Sequence, residues 1–222
     1  MNVILFGASG MVGQGVLREC LQDQDVGQVL LIGRSATGRQ DPRIREIVHN
    51  DIGDLQPLEG ELSGFGACFF CLGVSSVGMT DADYRRITYD ITIGAAGTLA
   101  KLNPGMTFIY VSGMGTDSSE IGRTAWARVK GATENALLRL PFRAAYMFRP
   151  GFIQPMHGEQ PKGAMTRIAL RLMSPFMPLV LRLAPQFGTT TERMGRAMLF
   201  AAKHGAPKKI LESADINALS SV

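Results

Sequence analysis

The chain has 222 residues, 45% of them hydrophobic and 19% charged, which excludes a disordered polymer and suits one domain with a full core. Its formal net charge is only +4, and no run of five like charges occurs, so a nucleic-acid-binding arm is not expected. The N-terminus MNVILFGASG has no charged region before its apolar run, and no apolar run reaches the ~20 residues of a membrane span. With three cysteines in apolar surroundings, these features point to a cytoplasmic protein without stable membrane insertion.

Short apolar runs alternate with helical stretches from the first residue onward. NVILF (2–6) reads as a strand, MVGQGVLRECLQ (11–22) as a helix, then QVLLI (28–32), IREIV (44–48) and ACFFCL (67–72) as strands. DADYRRITYDITIGAAGTLAKL (81–102) reads as one helix, TFIYVS (107–112) as a strand, TAWARVKGATENAL (124–137) as a helix and RAAYMF (143–148) as a strand. Most strands are apolar on both faces, as they must be when helices cover both sides of a parallel sheet. The pattern implies a doubly wound α/β fold of Rossmann type with right-handed crossovers.

Residues 151–222 differ in character and read as a helical cap on the same single domain. AMTRIALRLMSPFMPLVLRLAP (164–185) carries Arg167, Arg171 and Arg182 among Met and Leu and is broken by Pro175, Pro178 and Pro185. Three roles fit it: a lid on a substrate pocket, a surface for a protein partner, or an interfacial membrane helix. TTTERMGRAMLFAAKH (189–204) starts with a threonine cap and Glu192 in its first turn. KKIL (208–211) could be a last short strand, and SADINAL (213–219) a final helical turn or two.

The most informative motif is GASGMVG, where the first strand ends and the first helix opens. Gly7 permits a tight turn, Gly10 lets backbone approach a pyrophosphate, and Gly13 allows close helix–strand packing. The helix start, with Ser9, Met11 and Val12, offers unpaired N–H groups and a partial positive charge to phosphates. The second strand ends in Gly33 and Arg34 with no carboxylate near it in sequence. A guanidinium there suits a 2′-phosphate, so NADP(H) is preferred over NAD(H), which stays possible. Asp51, beyond the third strand, either accepts from the adenine amino group or caps the next turn.

Weaker signals are read structurally. Cys68 and Cys71 form a CxxC whose sulfurs diverge on a strand, which favours two core cysteines over a redox or metal pair. His49, His157 and His204 have no metal-ligand spacing. No metal is expected.

Gly7, Gly10, Gly13, Arg34, Asp51, Cys71-Leu72-Gly73, Ser112, Lys130 and FRPGF (148–152) occur in an order that resembles the extended and atypical short-chain dehydrogenase/reductases. The branch most similar is the NAD-dependent epimerase/dehydratase-like or NmrA-like one, and the resemblance covers essentially the whole chain. It implies about seven strands, a cofactor site that also takes Leu72, Gly73 and Pro150, and a small-molecule substrate. It further implies that Ser112 orients a substrate carbonyl and that Lys130 holds the nicotinamide ribose. The tyrosine expected four residues before the lysine is Trp126, which shares the helix face but cannot exchange a proton near neutral pH. Readings that remain open are a reductase drawing its proton from Ser112, water or another tyrosine (Tyr84, Tyr89, Tyr110 or Tyr146), a cofactor-binding regulatory or scaffold protein without turnover, and a shifted register in which Trp126 is a core aromatic.

Overall fold

A computed structural model describes residues 1–160 and 184–221. Seven strands form one parallel sheet: β1 (Asn2–Phe6), β2 (Gln28–Gly33), β3 (Ile44–Val48), β4 (Ala67–Phe70), β5 (Thr107–Val111), β6 (Ala144–Arg149) and β9 (Ile210–Glu212), in the order β3-β2-β1-β4-β5-β6-β9. Chain progression reverses between β1 and β4, so a crevice opens at the carboxyl ends of these strands.

Among the described residues six α-helices flank the sheet: α1 (Met11–Gln22), α2 (Asp81–Arg85), α3 (Ile91–Leu102), α4 (Ala125–Leu138), α5 (Thr191–His204) and α6 (Ser213–Leu219). Because the strands are apolar on both faces, two cores form. One joins Val3, Leu5, Leu31 and Phe69 to Val16 of α1, Met194 and Met198 of α5 and Ile216 of α6. The other joins Ile4, Phe6, Phe70 and Tyr110 to Leu99 of α3 and Leu137 of α4. Cys68 falls in the second core and Cys71 packs against the first, as alternation along a strand requires. The edge strand β3 departs from the all-apolar pattern, pairing its Arg45 with Glu61 at the surface.

The expected helix over 81–102 is interrupted. Thr80 caps α2, accepting from Asp83 N at 3.1 Å, and a π-helical turn at Arg86–Asp90 separates α2 from α3. One residue too many per turn widens the backbone at that point, and such turns recur beside functional sites.

The tail builds more of the sheet layers than a cap would. Its residues 191–204 form α5, which packs along α1, and Ile210–Glu212 supply the seventh strand. A short parallel pair, β7 (Phe152–Gln154) with β8 (Gly188–Thr190), was not legible in sequence; α5 begins after it, with Thr190 accepting from Arg193 N at 3.0 Å. Except for Ala184 and Pro185, the segment 164–185 lies outside the described residues, so its lid, partner or membrane readings have no structural counterpart here. Among the described residues no helix is long and apolar enough to cross a membrane.

Candidate functional site

The turn after β1 is built so tightly that only glycine fits. Gly7 has φ +80°, and a Cβ there would stand 2.7 Å from the carbonyl carbon of Cys71. A Cβ on Gly13 would stand 2.1 Å from the Gly7 carbonyl oxygen, so the first turn of α1 lies directly on the glycine turn. Gly10 donates its N–H to Gly7 O at 2.9 Å and precedes α1, whose first turn holds no acidic residue. The opening amides of Met11, Val12 and Gly13 therefore have no partner within the helix and no competing carboxylate in their own turn. Ser9, at the crest of the turn, is fixed through its carbonyl, which accepts from Gln14 Nε2 at 3.1 Å.

Two cavities adjoin beside this turn. One of about 280 Å³ is bordered by Gly7, Ser9, Gly33, Arg34, Thr37 and Glu46. The other, about 410 Å³, runs along Asp51, Gly73, Thr88, Tyr110 and Lys130. Arg34, Ile52 and Leu72 line both, so they form one continuous trough across the strand ends. The structure thus brings together Gly7, Ser9, Arg34, Asp51, Leu72, Gly73 and Lys130. It also corrects one expectation: Arg34 is not free of carboxylates. Glu46 on β3, twelve residues on in sequence, borders the same cavity because parallel pairing sets it opposite Leu31 of β2.

At the far end of the trough α4 faces the loop that follows β5. Lys130 Nζ donates to the carbonyl oxygen of Ser112, and burial draws its pKa down to about 8, against the opposing pull of Glu134. Trp126, one turn earlier, lies over Gly115: a Cβ on that glycine would be 3.5 Å from the indole Cη2. The two side chains share a helix face, as their spacing demands, yet Lys130 lines the larger cavity and Trp126 does not. Pro150 closes the same corner, its carbonyl accepting from Met114 N at 2.9 Å.

Ser112 turns elsewhere. Its side chain is buried, and its hydroxyl donates to Glu134 Oε1, with Phe148 O at 3.2 Å as the alternative acceptor. Glu134 is fully buried and grips Arg149, whose Nε lies 3.0 Å from Oε1 and 3.2 Å from Oε2. Arg149 also reaches Ser118 Oγ and stands 3.6 Å from Glu212. This network ties α4, β6, the loop after β5 and the start of α6 together behind Lys130. In sequence Glu134 is marked only by its place one turn after Lys130 on the same helix face.

Of the four tyrosines only Tyr110 lines the trough. It is buried and burial raises its pKa, while a hydrogen bond to Thr133 partly opposes that rise. Tyr146 accepts instead from Ala206 N at 3.1 Å on the opposite face of the sheet, and Tyr89 carries Arg85 over its ring. Among the described residues no group of His, Cys, Asp or Glu is arranged to hold a metal ion; His157 is paired with Glu192 at 3.1 Å.

No family model matches the chain. In fold, it superposes on the Bordetella bronchiseptica enzyme WbmF in complex with NAD+ with a TM-score of 0.69 at 15% identity, over 99% of this chain and 76% of that one. It superposes on a short chain dehydrogenase family protein from Francisella tularensis with a TM-score of 0.64 at 14% identity, over 92% and 91% of the two chains. The fold is the one these two proteins share. In sequence, Protein fmp52-2, mitochondrial, from Aspergillus oryzae is 27% identical over 96% of this chain and 93% of its own. Protein HTATIP2 of Rattus norvegicus is 28% identical over 68% and 62%. The expectation of a cytoplasmic protein is overturned by these relatives, since those from Aspergillus oryzae, Chaetomium globosum and Eremothecium gossypii are all named mitochondrial. The chain thus has the Rossmann-type parallel α/β fold of these solved structures.

Proposed function

We propose that this protein holds an NAD(P)(H) dinucleotide along the trough and acts as an oxidoreductase on a small molecule at its Lys130 end. One observation supports this reading above the rest: Gly7 and Ser9 of the glycine turn border a cavity that shares Arg34, Ile52 and Leu72 with a second one running on to Lys130. A Cβ at Gly10 would meet only Gly7 O, at 3.3 Å, and otherwise open space, which leaves room for a pyrophosphate against the backbone. Gly7, Ser9, Gly10, Met11, Val12 and Gly13 would hold the phosphates, and Asp51 the adenine amino group. Leu72 and Gly73 would form the floor. Lys130 would hold the nicotinamide ribose, with Pro150 beside the ring. Arg34, as an exposed guanidinium at the cavity edge, would meet a 2′-phosphate and favour NADP(H). When bound, the dinucleotide supplies hydride transfer.

The chain's own residues then have the task of moving a proton. With Trp126 outside the trough and the Ser112 hydroxyl engaged by Glu134, the titratable groups left at that end are Lys130 Nζ and the Tyr110 hydroxyl. A second reading, a cofactor-binding protein without turnover, is favoured by the same two observations: Trp126 stands outside the trough, and the Ser112 hydroxyl is committed to Glu134. Parallel fluorescence titrations with NADPH and NADH test the shared premise. We expect both to bind, NADPH more tightly, and Arg34→Ala to weaken NADPH by about tenfold while leaving NADH nearly unchanged. Absence of binding of either cofactor at millimolar concentration rules out both readings. Turnover of a panel of small carbonyl compounds by the loaded protein then separates enzyme from binder.

A further inference from the structure

Arg34 has no ion-pair or hydrogen-bond partner among the described residues, and it is not alone at the adenosine end of the trough. Parallel pairing places Glu46 beside Leu31, so its side chain projects on the sheet face that carries α1 and the glycine turn. One carboxylate oxygen, Oε1, accepts from the backbone N–H of Thr37 at 2.7 Å. That bond ties the loop after β2 to β3 and fixes the carboxylate at the wall of the 280 Å³ cavity it shares with Gly7, Ser9 and Arg34. The neighbouring arginines in and just before β3 are spoken for, Arg45 by Glu61 and Arg43 by Asp41. Glu46 has no ion-pair partner among the described residues. A half-buried carboxylate with one oxygen anchored still has acceptor sites to offer.

We propose that Glu46 is a second determinant of cofactor choice, its carboxylate accepting a hydrogen bond from the free 2′-hydroxyl of an NAD(H) adenosine ribose while Arg34 serves the 2′-phosphate of NADP(H). The inference rests on the dinucleotide reading above and narrows it to a dual-cofactor site. A carboxylate at the cavity wall repels a phosphate dianion and welcomes a hydroxyl donor; a guanidinium does the reverse. With both present, neither cofactor is excluded, and each is answered by one side chain. Dinucleotide sites usually place the hydroxyl-binding carboxylate at the end of the second strand; here that position is Arg34, and the adjacent strand supplies the acid instead.

Glu46→Gln is the informative variant, because the amide oxygen can still accept from Thr37 N and so keep the loop in place. Dissociation constants for NADH and NADPH, read by fluorescence on the wild type, Glu46→Gln and Arg34→Ala, form the test. The expected result is a crossover. Glu46→Gln weakens NADH by about tenfold and tightens NADPH, whereas Arg34→Ala weakens NADPH alone. An unchanged denaturant midpoint for Glu46→Gln shows that the fold is retained. If both cofactors bind and Glu46→Gln leaves their ratio within twofold of wild type, the role of Glu46 is overturned and the dinucleotide reading stands. If neither binds the wild type, both fall.

Discussion

Ser112 donates its hydroxyl hydrogen to Glu134, while its backbone carbonyl accepts from Lys130 Nζ. The residue that the sequence pattern sets beside a substrate is thus a joint between a buried carboxylate and the lysine at the head of the trough. What surrounds that joint determines the behaviour expected of the protein.

Glu134 and Arg149 are 0% and 9% exposed, so removing Glu134 leaves the largely buried guanidinium only the longer 3.6 Å contact with Glu212 as an ion pair. Glu134→Ala is expected to destabilise the fold by about 3–5 kcal/mol, seen as a lower urea midpoint. Ser112→Ala removes a single hydrogen bond to the same carboxylate and should cost nearer 1 kcal/mol. A Glu134→Ala midpoint close to wild type would show that Arg149 finds water or another partner.

Lys130 links pH to stability. Its pKa falls from the ordinary 10.5 to about 8 through burial, so between those values the unfolded chain binds more protons at this site than the folded one. The lysine therefore disfavours folding while charged, and its contribution improves as pH rises from about 8 towards 10.5. Lys130→Met should flatten the pH dependence of the urea midpoint over that window and raise the midpoint at pH 7. An unchanged slope would place the ammonium in water.

Gly13 has no room for a methyl group, with Gly7 O only 2.1 Å from where the Cβ would sit. Gly13→Ala must push α1 off the glycine turn, at a cost of about 1–3 kcal/mol, and should weaken NADH and NADPH together because both rely on the same amides. Thermal melts and the cofactor titrations check the two effects separately.

Trp126→Tyr restores a phenol one turn before Lys130. If the protein turns over a carbonyl substrate, the rate at neutral pH should rise by about 10²-fold, the lower range for general acid–base help. A variant that binds cofactor normally with no gain in turnover favours the non-catalytic reading.

None of the three thiols is expected to react with a thiol-specific reagent at pH 8 while the protein is folded. Cys20 and Cys68 are buried, and burial pushes the Cys71 thiol up to about 12. Guanidinium should release all three, and fast labelling in the native state would contradict the packing of Cys71.

Sequence alone determined the architecture, because its information there is local and periodic. Strand-length runs apolar on both faces between amphipathic helices leave a parallel sheet as the only economical burial. The positive φ of Gly7 and the contact of Gly13 with Gly7 O belong to one local turn. Trp126 and Lys130 share a face because one helical turn separates them. Tertiary structure decided everything that depended on strands meeting. Glu46 reaches the Arg34 cavity only through the β2–β3 register, and Ser112 is turned to Glu134 only because α4 packs behind β5 and β6. The π turn at Arg86–Asp90 lines the trough where the helical pattern of 81–102 reads as unbroken. A side chain's neighbours along the chain follow from spacing; its neighbours across the sheet follow from register and packing, which no local pattern encodes.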